Sequence, residues 1–465
     1  MSKILLVYPN QEGFPMISVG IGVLAGVLKH YGHKVELFDV TFMVSERLDQ
    51  VARDKAGTVK KVDFEKYWGT GDKVDMEEEF RKKILSFKPD LIAFSIVENN
   101  YPCARKLFKI AKEVTKVPII AGGLFPTLAP EFFINDENVD IICRGEGEYA
   151  MLALADRLSK GEDISNISNL TVKSEGKITE NKFGPYYNWE PLIFQDWEVF
   201  DERHLMKAFV GKMQKTGFFE MSRGCPFSCS YCANAAYQEI FKGLGPYHRE
   251  KRLDYVMKEM EYMKNKYNLE LVFFTDENFM MMGRGRFEEF IRNYKIRINL
   301  PFYIQTRADT LLDEDKIRML KEANCATIGI GIESGTEKIR KEILSKNIPD
   351  HIFVKAFANC NKYHIRTTAN IIIGLPLETE KDILAGVELC KKFNAESIGV
   401  SIFAPYYGTN LRKVCIDNGY IEDKYYENIS TNYHSILKMP QISEEKIEEL
   451  YYNFSKLVYG DKQSG

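Results

Sequence analysis

Three of the nine cysteines stand close together. Cys225, Cys229 and Cys232 have the spacing C-x3-C-x2-C. With nine cysteines in 465 residues, chance gives that pattern about 0.3% of the time. Thiolates are soft ligands, so the group reads as metal chemistry. A 4Fe–4S cluster held at three irons, with the fourth iron open, satisfies it. Zinc with three sulfurs and a fourth ligand is one alternative, and plain buried thiols are another. Zinc sites usually bring a second paired set. Cys325, Cys360, Cys390 and Cys415 are tens of residues apart, so the cluster is favoured. Pro226 donates no backbone hydrogen bond and helps hold the loop open for ligation.

Such a loop needs a strand to present it, and Phe218–Ser222 directly before it reads as one. Further strands are expected at Leu271–Thr275, Phe302–Thr306, Thr327–Ile332, Thr368–Ile373 and Ser397–Phe403, with helices such as Leu253–Lys266 and Glu314–Ala323 between them. Six β/α units are two short of a closed (β/α)8 TIM barrel. The expectation is an open partial (β/α)6 barrel with its mouth at the strand C-termini.

Residues 1–160 hold a separate series. Strands are expected at Lys3–Tyr8, Lys34–Val40, Leu91–Val97, Val117–Ala121 and Asp140–Cys143, with helices over Ile17–Tyr31, Asp75–Phe87 and Cys103–Thr115. Unbroken Ile/Val/Leu runs indicate strands covered on both faces. The fold class is therefore α/β, with a doubly wound, flavodoxin- or Rossmann-like N-terminal domain that binds ligands at its strand C-termini. Residues 161–210 read as a linker with a hairpin near Asn169–Asn181, 211–410 as the barrel, and 411–465 as a small helical cap.

The 63 basic and 66 acidic residues leave a net charge of −3, which offers no field for nucleic acid or an anionic membrane. Met1–Pro9 is too short for a signal peptide, and Ile17–Leu28 is too short to span a bilayer. A cytoplasmic setting with reduced thiols is expected.

Residues 217–405 resemble the radical S-adenosylmethionine (SAM) superfamily, whose hallmark is this cysteine spacing with an aromatic before the last cysteine, here Tyr231. The resemblance implies that SAM chelates the open iron and is cleaved to a 5′-deoxyadenosyl radical. It also implies a low-potential electron donor of flavodoxin or ferredoxin type. Thr275-Asp276-Glu277-Asn278 resembles an Asp-rich turn of cobalamin-linked members. Asp276 and Glu277 there would accept from the SAM ammonium, against a plain helix N-cap by Asp276. Arg307 would pair with the SAM carboxylate or a substrate anion, against a surface ion pair. Glu333 and Ser334, in Gly329–Gly335, would take the ribose. Gly374 would lie along the adenine, in a segment resembling Gly-Leu-Pro-Gly-Glu-Thr with Leu377 where Gly is usual. Ala404–Thr409 resembles the motif that closes such barrels.

Residues 1–150 resemble the cobalamin-binding domain fused to one branch of that superfamily. Pro9, Asn10, Gly122, Gly123, Phe125, Gly145 and Glu146 fit its punctuation and would contact the corrinoid. The Asp-x-His-x-x-Gly loop that ligates cobalt in many such domains is missing, and Phe125 stands where His is common. Histidine is therefore not expected on the lower face of cobalt, and a docking scaffold without cofactor is the competing reading. His30 and His33 read as surface or helix-end residues.

The function implied is cobalamin-dependent radical SAM methylation of an unactivated carbon in a small-molecule substrate. The alternative is radical dehydration, cyclisation or rearrangement without methyl donation, and a non-catalytic iron–sulfur or corrinoid module is a third reading. RNA methylthiotransferases carry three more cluster cysteines in the N-terminal half. Apart from the Cys225–Cys232 triplet, this half has only Cys103 and Cys143.

Overall fold

Ile4, Leu5, Leu6 and Val7 are all buried, as a strand covered on both faces requires. They form the centre of β1 (Lys3–Tyr8) in a computed structural model that describes residues 1–10, 15–43, 48–69, 74–174, 176–426 and 433–460. The chain divides into two units. The first comprises Met1–Arg47, Phe64–Met206 and Ile240–Gly245, and the second Leu48–Asp63, Lys207–Glu239 and Pro246–Gly465.

In the first unit, α1 (Val19–His30), β2 (Lys34–Asp39), α2 (Met76–Phe87), β3 (Leu91–Ser95), α3 (Tyr101–Val114), β4 (Ile119–Gly122), β5 (Ile141–Cys143) and α4 (Glu148–Lys160) follow β1. Asp75 starts α2 by accepting from the backbone N–H groups of Glu77 and Glu78, at 3.0 and 3.2 Å, which satisfies two donors the helix cannot. The sheet order is β2-β1-β3-β4-β5, all parallel. The order reverses beside β1, which creates the crevice where such sheets take ligands. The hairpin expected near 169–181 forms as β6 (Leu170–Ser174) and β7 (Lys177–Glu180), and it adds to this same sheet, antiparallel to β5.

The second unit is a curled sheet. β8 (Met206–Phe209) and β9 (Lys212–Phe219) lead to α5 (Leu253–Tyr267), β10 (Leu271–Phe274), α6 (Arg284–Arg297), β11 (Phe302–Arg307), α7 (Glu314–Glu322) and β12 (Cys325–Glu333). Then come α8 (Asp350–Lys362), β13 (Arg366–Ile373), α9 (Glu380–Lys391), β14 (Ser397–Ile402) and α10 (Glu444–Tyr459). Strands β9 to β14 run parallel in sequence order. The first barrel strand starts at Lys212 and not at Phe218, because it pairs with β8 through a two-residue turn. Val210 and Gly211 there have φ of 51° and 76°, as the tight turns that match strand twist require. From the C-terminal segment, α10 packs on α9 and β14.

Alternation divides each barrel strand. Ile328, Ile330 and Ile332 are fully buried. Thr327, Gly329, Gly331 and Glu333 point to the other, inner side, where glycines keep the wall low. Among the described residues no helix is long and apolar enough to cross a membrane.

Candidate active site

The cysteine loop is held from several sides. Ser222 and Arg223 pair antiparallel with Glu250 and Arg249, so the chain leaving β9 is a short ribbon. Asp276 sits behind it, 2% exposed. Its carboxylate accepts from the Met221 N–H at 3.0 Å and the Ser222 hydroxyl at 2.6 Å, and burial pushes it up to about 6. Asp276 therefore braces the ribbon. Beyond the ribbon, the Gln238 amide donates to the carbonyls of Cys225 and Phe227, at 2.7 and 3.0 Å. The Ser230 N–H donates to the Leu344 carbonyl at 3.1 Å, and the Asn234 amide lies 3.6 Å from Cys232 Sγ.

No three of the described His, Cys, Asp or Glu side chains stand where one metal ion could be shared. Zinc draws its sulfurs to about 2.3 Å from one point, and these cysteines are not so gathered. A cluster asks something else of them, since each thiolate takes its own iron. Cys229 is buried, while Cys225 and Cys232 are partly open. Burial raises the Cys225 thiol to about 11, and Glu277 adds to the rise. Burial also raises Cys229, against the pull of the Lys346 and Arg307 cations. Glu277 keeps an exposed face, yet the protein packed around the rest of it lifts its carboxyl to about 7, mainly by desolvation.

Arg307, at the end of β11, lies over the Phe227 ring at 3.7 Å, and its Nη1 is 4.0 Å from Cys229 Sγ. Asp309 holds the opposite edge of the guanidinium at 2.8 Å. The Asn278 Oδ1 accepts from the Thr306 hydroxyl and the Arg307 N–H. Its buried Nδ2 then has no partner among the described residues and remains a donor for a ligand.

Glu333 ends β12 at φ 71°, a conformation that costs a side-chain-bearing residue about 1–2 kcal/mol. The parallel register slips by a residue here, and the bulge aims the carboxylate inward. Lys346 Nζ donates to Glu333 Oε1 at 2.8 Å and to the Gly331 carbonyl at 2.7 Å. The Tyr231 hydroxyl bonds the same carboxylate. Sequence reasoning missed Lys346.

Two expected SAM contacts lie deeper. Ser334 is fully buried and donates to Glu378 Oε1 at 3.2 Å. Glu378 also accepts from the Leu375 N–H at 3.1 Å. These bonds join the ends of β12 and β13. Gly374 has φ 72°, and a methyl group there would meet Ile447 at 2.9 Å.

In the first unit the expected residues divide. Pro9 and Asn10 are buried, and the Asn10 amide donates to the Thr41 hydroxyl at 3.0 Å, which donates to Asp39 at 2.6 Å. Gly122 ends β4. Gly123 has φ 106°, and a methyl group on it would strike the Ile96 carbonyl oxygen at 2.8 Å, so only glycine fits. The Thr127 hydroxyl donates to the Gly123 carbonyl at 2.8 Å and accepts from the Gly145 N–H at 2.9 Å, which ties the ends of β4 and β5. Phe125 is corrected to a core residue. Its ring is 1% exposed and packs on Tyr101, Phe132 and Phe133. Glu146 accepts from the Tyr187 N–H at 2.7 Å and so anchors the following segment. His33 is also buried, not a surface residue, and accepts from the Ser2 N–H at 3.1 Å. His204 meets Asp39 at 2.5 Å but is fully buried between Phe42 and Phe200, so it is not offered to a ligand.

The profile of the radical SAM superfamily matches residues 219–390, and that of the B12-binding domain matches residues 61–155. An uncharacterized methyltransferase of Pyrococcus horikoshii is 25% identical over 80% of this chain and 79% of its own length. An anaerobic magnesium-protoporphyrin IX monomethyl ester cyclase of Rubrivivax gelatinosus is 23% identical over 71% of this chain and 59% of its own. Among solved structures, the radical SAM methyltransferase TsrM of Kitasatospora setae, with cobalamin and a [4Fe-4S] cluster bound, superposes with a TM-score of 0.67 at 18% identity. That match covers 90% of this chain and 75% of TsrM, and at such identity it speaks to fold alone.

Proposed function

Because the chain belongs to the cobalamin-domain-containing radical SAM enzymes, we propose that it methylates an unactivated carbon of a small molecule. A 4Fe–4S cluster, SAM and cobalamin are its cofactors. When bound, they supply a radical strong enough to take hydrogen from carbon, and a methyl group to replace it.

The chain's own residues do the holding. Cys225, Cys229 and Cys232 are the cluster ligands. Arg307 sits beside Cys229 at 4.0 Å with its charge only partly offset by Asp309, which suits the SAM carboxylate. Asn278 offers an amide donor beside it. Glu333 suits the ribose hydroxyls, with Lys346 fixing its orientation. Glu277, whose charge acts on Cys225, suits the SAM ammonium, while Asp276 positions the loop. In the first unit, the backbone at Gly122, Gly123 and Gly145 suits a broad flat ligand such as a corrinoid. Residues 1–160 are the cobalamin domain, 211–410 the barrel and 411–465 the cap. Electrons come from a low-potential flavodoxin or ferredoxin type donor, in a cytoplasm that keeps the thiols reduced.

The observation that carries the reading is the cysteine triplet with Arg307 packed against its middle member. The cyclase relative favours a second reading, in which the radical drives ring closure and no methyl group moves. Anaerobic reconstitution with iron, sulfide and hydroxocobalamin tests both. A cluster spectrum, a bound-corrinoid spectrum and methyl transfer from labelled SAM are expected. A cluster without corrinoid would overturn the first reading and leave the second.

A further inference from the structure

The barrel's inner face carries an aromatic row that none of the roles above uses. Phe218, Phe273 and Tyr303 face one another across β9, β10 and β11 in direct register. The Phe273 and Tyr303 rings stack at 4.6 Å and 19°. Phe273 and Tyr303 are both partly open, so the stack is reached from the lumen. Beyond it, the Tyr303 hydroxyl lies over Gly329, where a methyl group would be 2.3 Å away, and the Asn370 amide lies over Gly399. Gly329 and Gly399 are what give these two side chains room.

One cation addresses this row. Lys207, on β8, places its Nζ 5.0 Å from the Phe273 centroid and 6.0 Å from that of Phe218. The two buried lysines of the unit have carboxylates, Lys251 meeting Glu220 at 2.8 Å and Lys346 meeting Glu333 at 2.8 Å, while the partly buried Lys264 and Lys316 donate to backbone carbonyls. Lys207 has no carboxylate among the described residues, and the charge that acts on it is that of another cation, Arg53. Burial and Arg53 pull its ammonium down to about 8, which is the response of a cation that lacks a counter-ion. The two rings offset part of that cost. They do not neutralise the charge.

We propose that Lys207 anchors an oxyanion, a carboxylate or a phosphate, on a substrate whose body lies along the Phe273–Tyr303 stack. The proposal rests on the reading that this face receives the substrate, and it deepens that reading by assigning the substrate a negative group. An aryl or alkyl acid would place its apolar part on the rings and its anion at Lys207. The Tyr303 hydroxyl and the Asn370 amide would then meet polar groups further along.

The test is differential lysine labelling of the full chain with its cluster reconstituted. Pyridoxal 5′-phosphate followed by borohydride marks accessible lysines, and peptide mass spectrometry reads each site. Exposed Lys258 is the internal reference. Labelling of Lys207, slowed at least fivefold by benzoate but not by benzyl alcohol, with Lys258 unchanged, is the expected result. Slowing by inorganic phosphate as well identifies the subsite as a general oxyanion site. In Phe273→Ala the benzoate effect should shrink while any phosphate effect persists. No labelling of Lys207, or equal slowing by benzoate and benzyl alcohol, or none by either, overturns the proposal. Labelling needs no turnover, so this failure is distinct from failure of SAM cleavage or methyl transfer.

Discussion

Lys346 and Glu333 form an enclosed ion pair, with Nζ 2.8 Å from Oε1 and side-chain exposures of 4% and 14%. The lysine also donates to the Gly331 carbonyl, so it fixes both the carboxylate and the backbone beneath it. Removing one partner of such a pair leaves a charge without compensation, at a cost of about 3 kcal/mol. Lys346→Met should lose roughly that much in denaturant unfolding, and the Lys346→Met/Glu333→Gln double variant should regain more than half of it. SAM affinity, read by calorimetry, should fall in both.

Glu378 gives a pH dependence. Burial pushes its carboxyl from 4.5 to about 8, so the folded state holds the proton more tightly than the unfolded chain. Its contribution is fully present below the unfolded value and is lost as pH rises through 8. Glutamine keeps the acceptor for Leu375 and does not ionise. Glu378→Gln should match the parent near pH 5 and exceed its stability near pH 8 by roughly 2–4 kcal/mol, at about 1.4 kcal/mol per unit. Paired thermal melts at the two pH values read this out.

Arg307 combines charge with a planar face stacked on Phe227. Lysine keeps the charge and loses the plane. Arg307→Ala should weaken SAM binding at least tenfold, about 1.4 kcal/mol, and Arg307→Lys should recover only part of it. Iron content and cluster absorbance should not change in either variant, because Arg307 ligates nothing.

Thr127 joins the Gly123 carbonyl to the Gly145 N–H. Thr127→Val keeps the shape and removes both bonds, so a part-buried N–H loses its acceptor at a cost of about 1–3 kcal/mol. Corrinoid retention after gel filtration should fall, while SAM cleavage to 5′-deoxyadenosine, which depends on the other unit, should persist.

Leu377 has φ 66° and is 44% exposed. Glycine adopts that conformation without strain, although it loses more entropy on folding. Leu377→Gly should be neutral or stabilising by up to about 1 kcal/mol. A loss of more than that in chemical denaturation would mean the leucine side chain has a packing role.

Much of this was legible in the sequence, and the reason differs by element. The run Lys3–Tyr8 has the composition of a twice-covered strand and is one. Leu377 was conspicuous for standing where related sequences have Gly, and its positive φ is the physical content of that pattern. The β8–β9 hairpin was not legible, because Val210-Gly211 lacks the Asn-Gly or Asp-Gly that usually marks such turns. Lys346 was invisible because nothing distinguishes one lysine from another until the chain brings it to Glu333. His204 and Asp39 are 165 residues apart, beyond any local pattern. Phe125 occupied a ligand-like position in the sequence, yet its ring turned to the core.

Along β12, Ile328, Ile330 and Ile332 belong to the packed side, while Thr327, Gly329 and Gly331 line the lumen. On the proposed reading, in which the lumen receives the substrate, specificity and foldedness are written on alternate letters of the same strands. Lumen positions such as Phe273, Tyr303 and Asn370 can be randomised together without opening a void in the helix-covered core. The barrel is thus evolvable in a definite sense: its substrate range can drift, or be driven in a selection, while the residues that fold it stay fixed.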